Sequence, residues 1–441
     1  MRKGVGNRGA LACSAVVLMG LMIAGCQREQ LIGPEWDGVD YALAVEQRML
    51  KGDYVWLDNE CKKTKRCQGS YGDLVRAARY ALRGHWAEAS ASAERCVAHA
   101  QGEVRPGVEY LCAQFARSTY IHQYGLYGIV ESRDKYQAAI DRGRRAGVVL
   151  KGADVDTVAG VDAVNKPEFS GQGLPGRIPL HWTTTSVPEV SSPYVVLNIG
   201  GRQLKMLFDT GAERSVMHSP HVAEFNTFGW GSAHINDYYG RSFDAGWAGV
   251  PKFNLAGLGV ENYYFTYMEA GDDVLFDEEK LDGAIGMDII RELGQVKISR
   301  DFIEVAPSPP AHCDTEMVSP ANFAGDREAP SFFGKINGVA GLFMLDTGTN
   351  KLAAVSARMV TERKMIVWDK VMLHGRGAGY FSMLRAVDAV NFSMDFMGVH
   401  FEPADYYVDF NKRGIDVIIG MELIKNYSVY MDFNASRICI V

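Results

Sequence analysis

The sequence lacks an excess of positive charge and contains no long basic run. Its 441 residues include 46 Lys and Arg against 53 Asp and Glu, which gives a formal net charge of −7. Proteins that bind nucleic acids need a concentrated basic surface to neutralise phosphates. The short cluster of Lys62, Lys63, Lys65 and Arg66 is typical of a solvated face. A nucleic-acid partner is therefore not expected.

Several catalytic and metal-binding signatures are also missing. The sequence contains no HExxH zinc motif, no GxSxG nucleophile elbow and no GxxxxGK(S/T) phosphate loop. Its ten histidines are scattered without the spacing of metal ligands, and no CxxC pair is present. We therefore expect neither a metal ion nor a cofactor.

The N-terminal apolar stretch is too short and too rich in Gly and Ala for a comfortable membrane-spanning helix. It covers residues 11–23 and follows the positive charges of Arg2, Lys3 and Arg8. This arrangement predicts a secretory signal peptide over residues 1–25, which is removed from the mature protein.

A cysteine follows this stretch in the order Ile23-Ala24-Gly25-Cys26, which resembles the lipobox of bacterial lipoproteins. The resemblance implies cleavage before Cys26, lipidation of that cysteine, and stable membrane anchoring through several acyl chains. Gln27, in place of an aspartate, implies sorting to the outer membrane. The expected location is the cell envelope, on the periplasmic face of the outer membrane. An uncleaved anchor or an ordinary signal peptide is the alternative.

Six of the eight cysteines remain once Cys13 leaves with the signal peptide and Cys26 takes lipid. An even number of cysteines in an exported protein predicts disulfides, although a zinc site is the competing interpretation. Many connectivities are open for six cysteines. The pairing that proximity in the chain favours is Cys61–Cys67, Cys96–Cys112 and, by remainder, Cys313–Cys439.

Residues from about 36 to 150 have a helical pattern, which predicts a helical domain over residues 26–150. Ala-rich stretches at 73–82 and 86–97 carry apolar residues at helical spacing, and a turn around Gly84 separates them. The pair resembles a tetratricopeptide-like unit. The resemblance implies a small all-helical domain that acts as a spacer or binds a protein partner.

The character of the sequence changes after residue 150. Residues 151–185 are rich in Gly and Pro and are interpreted as a linker. Beyond about residue 180, β-branched and aromatic runs alternate with glycine turns. The expected fold class is therefore multidomain α + β, with a small all-α domain followed by an all-β region.

The β-rich part contains the same pattern twice. Residues 194–208 and 332–345 each read as a β-hairpin with a Gly-Gly or Asn-Gly turn. These dipeptides favour hairpins because both central positions of a type I′ turn need positive φ. The second strand of each hairpin runs into an Asp-Thr-Gly triplet, which begins at Asp209 in the first copy and at Asp346 in the second.

Each copy also closes with the same hydrophobic-hydrophobic-Gly element, at residues 281–290 and 415–424. Its glycine follows the aspartate of its copy by 77 residues (286 − 209) in the first and 74 residues (420 − 346) in the second. Two such matching modules are far rarer by chance than one triplet. They indicate an internal duplication.

The two modules resemble the halves of the aspartic-peptidase fold. Each is a little over a hundred residues long, and this length is closer to that of the retropepsin module than to that of a pepsin lobe. The resemblance implies an all-β fold of two homologous halves, at residues 186–310 and 311–441. It also implies that Asp209 and Asp346 form a dyad that activates a water for peptide hydrolysis.

The activity implied by this resemblance is that of an aspartic endopeptidase acting on envelope proteins or peptides. A non-catalytic, peptide-binding scaffold lipoprotein with the same fold is the alternative. A zymogen, in which residues 27–180 act partly as a propeptide, is a third hypothesis.

The residues around the dyad receive roles from the same resemblance. Thr210 and Thr347 would form hydrogen bonds across the dyad and hold the two loops symmetric. Gly211 and Gly348 would let the backbone turn tightly and approach the carboxylates without a Cβ in the way.

The two copies differ directly after the triplet, where Ala212 stands in the first and Thr349 in the second. The resemblance implies that a hydroxyl at this position donates a hydrogen bond to the carboxylate and favours its charged form, whereas alanine cannot. With one residue of each kind, the sequence predicts a pH optimum less acidic than that of pepsin-like enzymes.

Two further hairpins are candidate flaps that would exclude water from the dyad. Gly240 and Gly377 each lie 31 residues after the aspartate of their own copy (240 − 209 and 377 − 346). Tyr239 and Tyr380 place an aromatic ring near each glycine. Plain surface hairpins are the alternative.

Overall fold

A computed structural model gives the protein an N-terminal helical region followed by a larger β-rich region. The expected α + β organisation is thereby confirmed. The described residues are 39–63, 68–148, 164–184, 191–236, 242–268, 280–323, 329–349, 352–362, 368–377, 380–388, 392–403, 405–409 and 415–441.

The helical region forms because Ala-rich amphipathic segments bury one face in a shared core. Ala77, Ala93 and Phe115 are among the side chains that are fully buried there. The helices are α1 (Val39–Leu50), α2 (Tyr54–Lys63), α3 (Gly69–Leu82), α4 (Trp86–Gly102), α5 (Pro106–Tyr124) and α6 (Leu126–Arg145).

Disulfides join elements at both ends of the chain. Cys96 of α4 is bonded to Cys112 of α5, and Cys313 is bonded to Cys439 in the last strand. Two predicted pairings are thereby confirmed. The third predicted pairing, Cys61–Cys67, lies outside the described side chains.

The strands up to residue 305 include the first hairpin and the segment before it. Burial alternates along the first strand of that hairpin, because one face of its sheet packs on the core. The strands are β1 (Glu168–Ser170), β2 (Gly176–Pro179), β3 (His181–Trp182), β4 (Pro193–Ile199), β5 (Arg202–Phe208), β6 (Val216–Met217), β7 (Asn226–Asn236), β8 (Ser242–Leu255), β9 (Leu258–Met268), β10 (Gly283–Ile285), β11 (Gln295–Ile298) and β12 (Phe302–Val305).

The strands from residue 331 onwards include the second hairpin. They are β13 (Ser331–Ile336), β14 (Val339–Leu345), β15 (Ala353–Ser356), β16 (Trp368–Gly377), β17 (Tyr380–Asp388), β18 (Met394–Phe396), β19 (Val399–Phe401), β20 (Asp405–Asp409), β21 (Val417–Ile419), β22 (Val429–Asp432) and β23 (Arg437–Ile440). Short helices in the β-rich region are α7 (Ser219–Val222), α8 (Met287–Ile290), a 3-10 turn (Arg291–Leu293), α9 (Ala357–Glu362) and α10 (Glu422–Asn426).

The two large sheets share a run of strands in the same order. The run is β9-β6-β10-β5-β4-β8 in the first sheet and β20-β15-β21-β14-β13-β18 in the second. In both, the strand before Asp-Thr-Gly (β5 or β14) pairs in parallel with the short strand before the closing glycine (β10 or β21). The duplicated sequence pattern thus coincides with a duplicated strand arrangement.

A third sheet joins the two parts of the β-rich region. Its order is β2-β12-β11-β22-β23, and β11 pairs antiparallel with β22, so that Val296 stands opposite Met431. The hydrophobic core is shared as well, since Phe208 and Phe343 belong to one buried cluster.

The segment predicted as a linker, residues 151–185, contains strands in its described part. β1 pairs with β9, β2 with β12 and β3 with β4. These strands are only two to four residues long, so their order depends on the sheet edges that they join rather than on their own propensity. This part of the chain is therefore built into the sheets.

The helical region packs directly on the β-rich region at several places. Ile121 and Ile129 share a buried cluster with Trp247 of β8. Nearer the start of α5, the ring centroids of Phe115 and Phe323 lie 4.9 Å apart. The two regions therefore bury apolar surface against each other, which stabilises their association.

Candidate active site

The two Asp-Thr-Gly triplets follow equivalent strands. Asp209 follows β5 and donates its N–H to the carbonyl of Ile285 (3.0 Å), while Asp346 follows β14 and donates to Ile419 (2.9 Å). Ile285 and Ile419 are the last residues of β10 and β21, the parallel neighbours of β5 and β14. Each aspartate therefore leaves its sheet at the same point.

Thr210 and Thr347 exchange hydrogen bonds between the two loops. The N–H of Thr210 donates to Thr347 Oγ1 (3.0 Å), and the N–H of Thr347 donates to Thr210 Oγ1 (3.1 Å). Each hydroxyl then donates to the opposite backbone, Thr210 to the Leu345 carbonyl (2.9 Å) and Thr347 to the Phe208 carbonyl. Both threonines are fully buried, so these bonds lock the loops together with near twofold symmetry.

The two carboxyl groups meet between the loops. The N–H of Gly211 donates to Asp209 Oδ1 and the N–H of Gly348 to Asp346 Oδ1, both at 2.8 Å. Each glycine also lies against the opposite aspartate. A Cβ on Gly348 would stand 2.7 Å from Asp209 Oδ2, and one on Gly211 would overlap the Asp346 carboxyl. Glycine at both positions is what allows the carboxyl groups to approach.

The residue after each triplet makes the site asymmetric. Thr349 Oγ1 donates to Asp346 Oδ2 (2.9 Å), so both oxygens of Asp346 accept a hydrogen bond. Ala212 has only its N–H to offer, 3.2 Å from Asp209 Oδ1, an oxygen that already accepts from Gly211. Hydrogen bonds to the charged form stabilise it. These contacts therefore favour negative charge on Asp346 over Asp209.

The surroundings of the pair disfavour two negative charges. Asp346 is buried, while Asp209 keeps limited contact with solvent. Burial and, next, repulsion from Asp346 raise the pKa of Asp209 to about 8, although the N–H groups of Gly211 and Ala212 act in the opposite direction. At neutral pH the pair therefore holds one proton between its two carboxyl groups. That state suits acid–base chemistry on a bound water.

The closing elements cross behind the loops. Met287 and Met421 each donate an N–H, at 2.8 Å, to the carbonyl of the residue that follows the triplet. A Cβ on Gly286 would stand 2.6 Å from the carbonyl carbon of Arg214. Only glycine lets the closing strand of the first copy lie this close to its loop.

Two acidic residues that were not predicted from the sequence support the dyad-bearing strands. Asp282 Oδ2 accepts a backbone N–H of β5 (2.7 Å), and Asp416 Oδ2 accepts one of β14 (3.0 Å). Each carboxylate also pairs with a basic side chain, which is His221 at 2.7 Å for Asp282 and Arg358 for Asp416. The signal that identifies them is their equivalent place in the repeat, four positions before the closing glycine in each copy (286 − 282 and 420 − 416).

A second acidic pair supports the ends of the loops. Asp288 accepts the N–H of Ser215 (3.0 Å), and Glu422 accepts the N–H of Leu352 (3.1 Å). Both follow a Gly-Met dipeptide in the closing element. Comparing the two copies would have found this pair as well, because an acid stands there in each.

The candidate flaps lie partly outside the described residues. Tyr239 and Gly240 fall in the gap between β7 and β8, two strands that pair antiparallel. Gly377 and Tyr380 form the last described backbone pair of β16 and β17, next to the gap at residues 378–379. Hairpin strands therefore stand at both expected positions, and their role as flaps stays a prediction.

The predicted anchor also lies outside the described residues, since these begin after Cys26. Among the helices that the structure describes, none combines the length and the hydropathy of a membrane-spanning segment. Within the same part of the chain, no group of three or more His, Cys, Asp or Glu side chains is arranged to hold a metal ion.

Comparison with known proteins gives no family assignment. No protein-family model and no curated protein matches the chain. Among solved structures, basic 7S globulin from soybean aligns with 11% identity and a TM-score of 0.36, over 60% of this chain and 94% of that one. Conglutin gamma from lupine seeds (9%, 0.37, 60% and 94%) and edgp (9%, 0.34, 61% and 95%) are similar at the same level. Likeness this distant defines neither a family nor a function.

Proposed function

We propose that this protein is an aspartic endopeptidase of the retropepsin-like type, with both halves of the site in one chain. The reciprocal contact of Thr210 and Thr347 carries the proposal, because it brings the carboxyl groups of Asp209 and Asp346 together. The shared strand order of the two large sheets supports it further. Two homologous halves would each deliver one aspartate.

Hydrolysis by such a pair starts with one proton on the two carboxyl groups. Asp346, whose charge Thr349 favours, takes a proton from a bound water as that water attacks the scissile carbonyl carbon. Protonated Asp209 donates a hydrogen bond to the carbonyl oxygen as negative charge develops on it. The tetrahedral intermediate then collapses, the C–N bond breaks and the leaving nitrogen takes a proton from the dyad. The products are a carboxylic acid and an amine.

Asp209→Asn tests the proposal on an unfolded protein substrate. The wild-type enzyme should cleave it, a statine-type inhibitor should block cleavage, and the variant should be inactive because one carboxyl cannot serve as acid and base together. If the wild-type protein cleaves nothing between about pH 3 and about pH 8, the alternative, a non-catalytic peptide-binding scaffold, becomes the better account.

The cell envelope is the proposed site of action, with envelope proteins or peptides as substrates and Cys26 as the lipid anchor. The two disulfides support export, because structural disulfides persist mainly in oxidising compartments. Cells given labelled palmitate should label the wild-type protein but not Cys26→Ser. Equal labelling of both would sink the anchor and leave the catalytic proposal untouched.

Binding of a protein partner by the helical region is a separate proposal. The packing of α5 against both parts of the β-rich region already occupies some of its surface. Outer residues such as Tyr80 and Val104 are exposed, Val104 by 83%. Crosslinking in intact cells, with Val104→Glu as the altered surface, would test whether a partner binds there. Unchanged crosslinked products would place the partner elsewhere.

A further inference from the structure

We propose that the helical region is a permanent positioning element of the first catalytic loop, with Arg214 and Arg291 as its positioning residues. The proposal rests on the proposed peptidase function. It assigns the N-terminal region a role that a removable propeptide could not have, because the contact would be needed throughout catalysis.

The two arginines lie on the two segments that build the first loop. Arg214 stands two residues after Ala212, and Arg291 follows the closing Gly286 by way of α8. The segments touch closely, since the N–H of Asp288 donates to the Glu213 carbonyl (3.2 Å). A shift of either segment would therefore move the loop that carries the first catalytic aspartate.

Both guanidinium groups bind the C-terminal end of α5. Arg214 Nη2 donates to the carbonyl of Ile121 (3.0 Å), and Arg291 Nη2 donates to the carbonyl of His122. Carbonyl groups in the last turn of a helix seek partners outside it, and the helix dipole is negative there. The Arg291 side chain is only 9% exposed, so solvent screens its contact little.

The end of α5 is itself held on the β-rich region. Ile121 packs in a buried cluster with Trp247, and the Arg214 guanidinium lies 5.8 Å from the centroid of that indole ring. His122 Nδ1 lies 3.3 Å from the Glu213 carboxylate. Apolar packing and polar contacts together make this helix end a rigid support for the loop.

The second loop has lysines at the corresponding positions. Lys351 matches Arg214, five residues after the aspartate of its copy (351 − 346 and 214 − 209), and Lys425 matches Arg291, five after the closing glycine (425 − 420 and 291 − 286). Lys351 lies outside the described residues, and the Lys425 ammonium lies 5.3 Å from the Trp182 ring centroid. The planar fork of arginine suits fixed contacts better than lysine does. Arginine is thus present at these positions in the copy whose loop contacts the end of α5, and lysine is present in the other copy.

The test is a double variant of the full-length enzyme, Arg214→Lys with Arg291→Lys, which gives the first copy the lysines that the second copy has at these positions. We expect kcat to fall about tenfold to a hundredfold with KM within about twofold, because a small misplacement of a reacting group affects the transition state most. The pH profile of kcat should also shift, since the separation of the two carboxyl groups sets their shared proton.

Arg83→Lys is the matched control. Arg83 also joins the two regions, through an ion pair with Glu316 (2.8 Å), but neither residue belongs to a catalytic loop. This variant should lose stability and keep its kcat and pH profile. If the double variant behaves in the same way, the positioning role is overturned while the peptidase proposal stands.

Two other outcomes are decisive. Full activity in a mature enzyme that has lost residues 39–148 would overturn the positioning role, because α5 would be gone. An inactive wild-type enzyme would overturn the peptidase proposal and this one with it. If the double variant fails to fold, the single variants carry the test, and each should lower kcat with the same pH shift.

Discussion

The two copies of the repeat agree in how they bring an aspartate to the centre of the molecule and differ in what surrounds it. In each copy the aspartate follows a strand that lies between equivalent neighbouring strands. An acidic side chain, Asp282 in the first copy and Asp416 in the second, accepts a backbone N–H of that strand. The first loop then contacts α5, whereas the second carries the hydroxyl of Thr349. The two copies are therefore alike in the strands and supporting acids that bring the carboxyl groups together, and they differ in the contacts of the loops.

The differences act on the charge and the position of each carboxyl group. Thr349 stabilises charge on Asp346 through its hydroxyl, while Ala212 offers Asp209 only a backbone N–H, to the same oxygen that accepts from Gly211. Asp282 pairs with the imidazole of His221, whereas Asp416 pairs with the guanidinium group of Arg358. A duplicated site can thus divide the roles of acid and base between equivalent residues without changing their geometry.

Removing either carboxylate should give the largest effect on activity and show that both copies are needed. Asp209→Asn and Asp346→Asn should each lower kcat/KM at least about a thousandfold, because acid and base are then no longer a pair. Cleavage of a fluorogenic peptide measures the loss. Asp395→Asn, which alters a carboxylate that is 47% exposed, is the control and should keep full activity. If either variant kept more than about a tenth of the wild-type activity, the hypothesis that both copies are needed would be contradicted.

Removing one threonine hydroxyl should give the largest effect on stability. Thr210→Val leaves the Thr347 N–H and the Leu345 carbonyl without their partner, and Thr347→Val leaves the equivalent groups unpaired. Each variant should lower the free energy of unfolding by about 2–4 kcal/mol, since buried polar groups are costly to leave unsatisfied. Urea denaturation measures this. Clearly unequal losses of unfolding free energy would show that the two threonines do not contribute equally to stability.

Stability should also depend on pH through Asp209. Its pKa is raised to about 8 in the folded protein, against about 4 in an unfolded chain. The unfolded chain therefore loses its proton first, and the folded state is progressively destabilised from about pH 4 to about pH 8. Asp209→Asn lacks this cost and should gain stability at pH 8 relative to pH 4, by at most about 5 kcal/mol, since each pKa unit corresponds to about 1.4 kcal/mol. Thermal midpoints at both pH values test it, and a pH-independent difference would contradict it.

The sequence carried the centre of the site because the relevant contacts are local or repeated. The glycines, the threonines and the unequal residues after the triplets lie within a few positions of each aspartate, and the duplication indicated that the two triplets belong together. Asp288 and Glu422 were accessible by the same comparison. Contacts with α5 were not, because the acceptors are the backbone carbonyls of Ile121 and His122, which no residue type marks.

The strands in the predicted linker were missed for a related reason. β1, β2 and β3 are too short to show alternation, and they become ordered by pairing with distant strands. The disulfide Cys96–Cys112 could be predicted because its cysteines are close in the chain, whereas Cys313–Cys439 followed only by remainder. Strands and disulfides that depend on partners far away in the chain are thus the features that are hardest to predict from a single sequence.

Exchanging the residues after the triplets should give the smallest effect and the finest test of the asymmetry. Ala212→Thr adds a hydroxyl that can donate to Asp209, favours its charged form and should shift the pH profile of kcat/KM toward acid by up to about one unit. Thr349→Ala removes the donor to Asp346 and should shift the profile the other way. The wild-type optimum should lie above about pH 4. Shifts in the same direction for both variants would mean that these two residues do not set the proton distribution between the carboxyl groups.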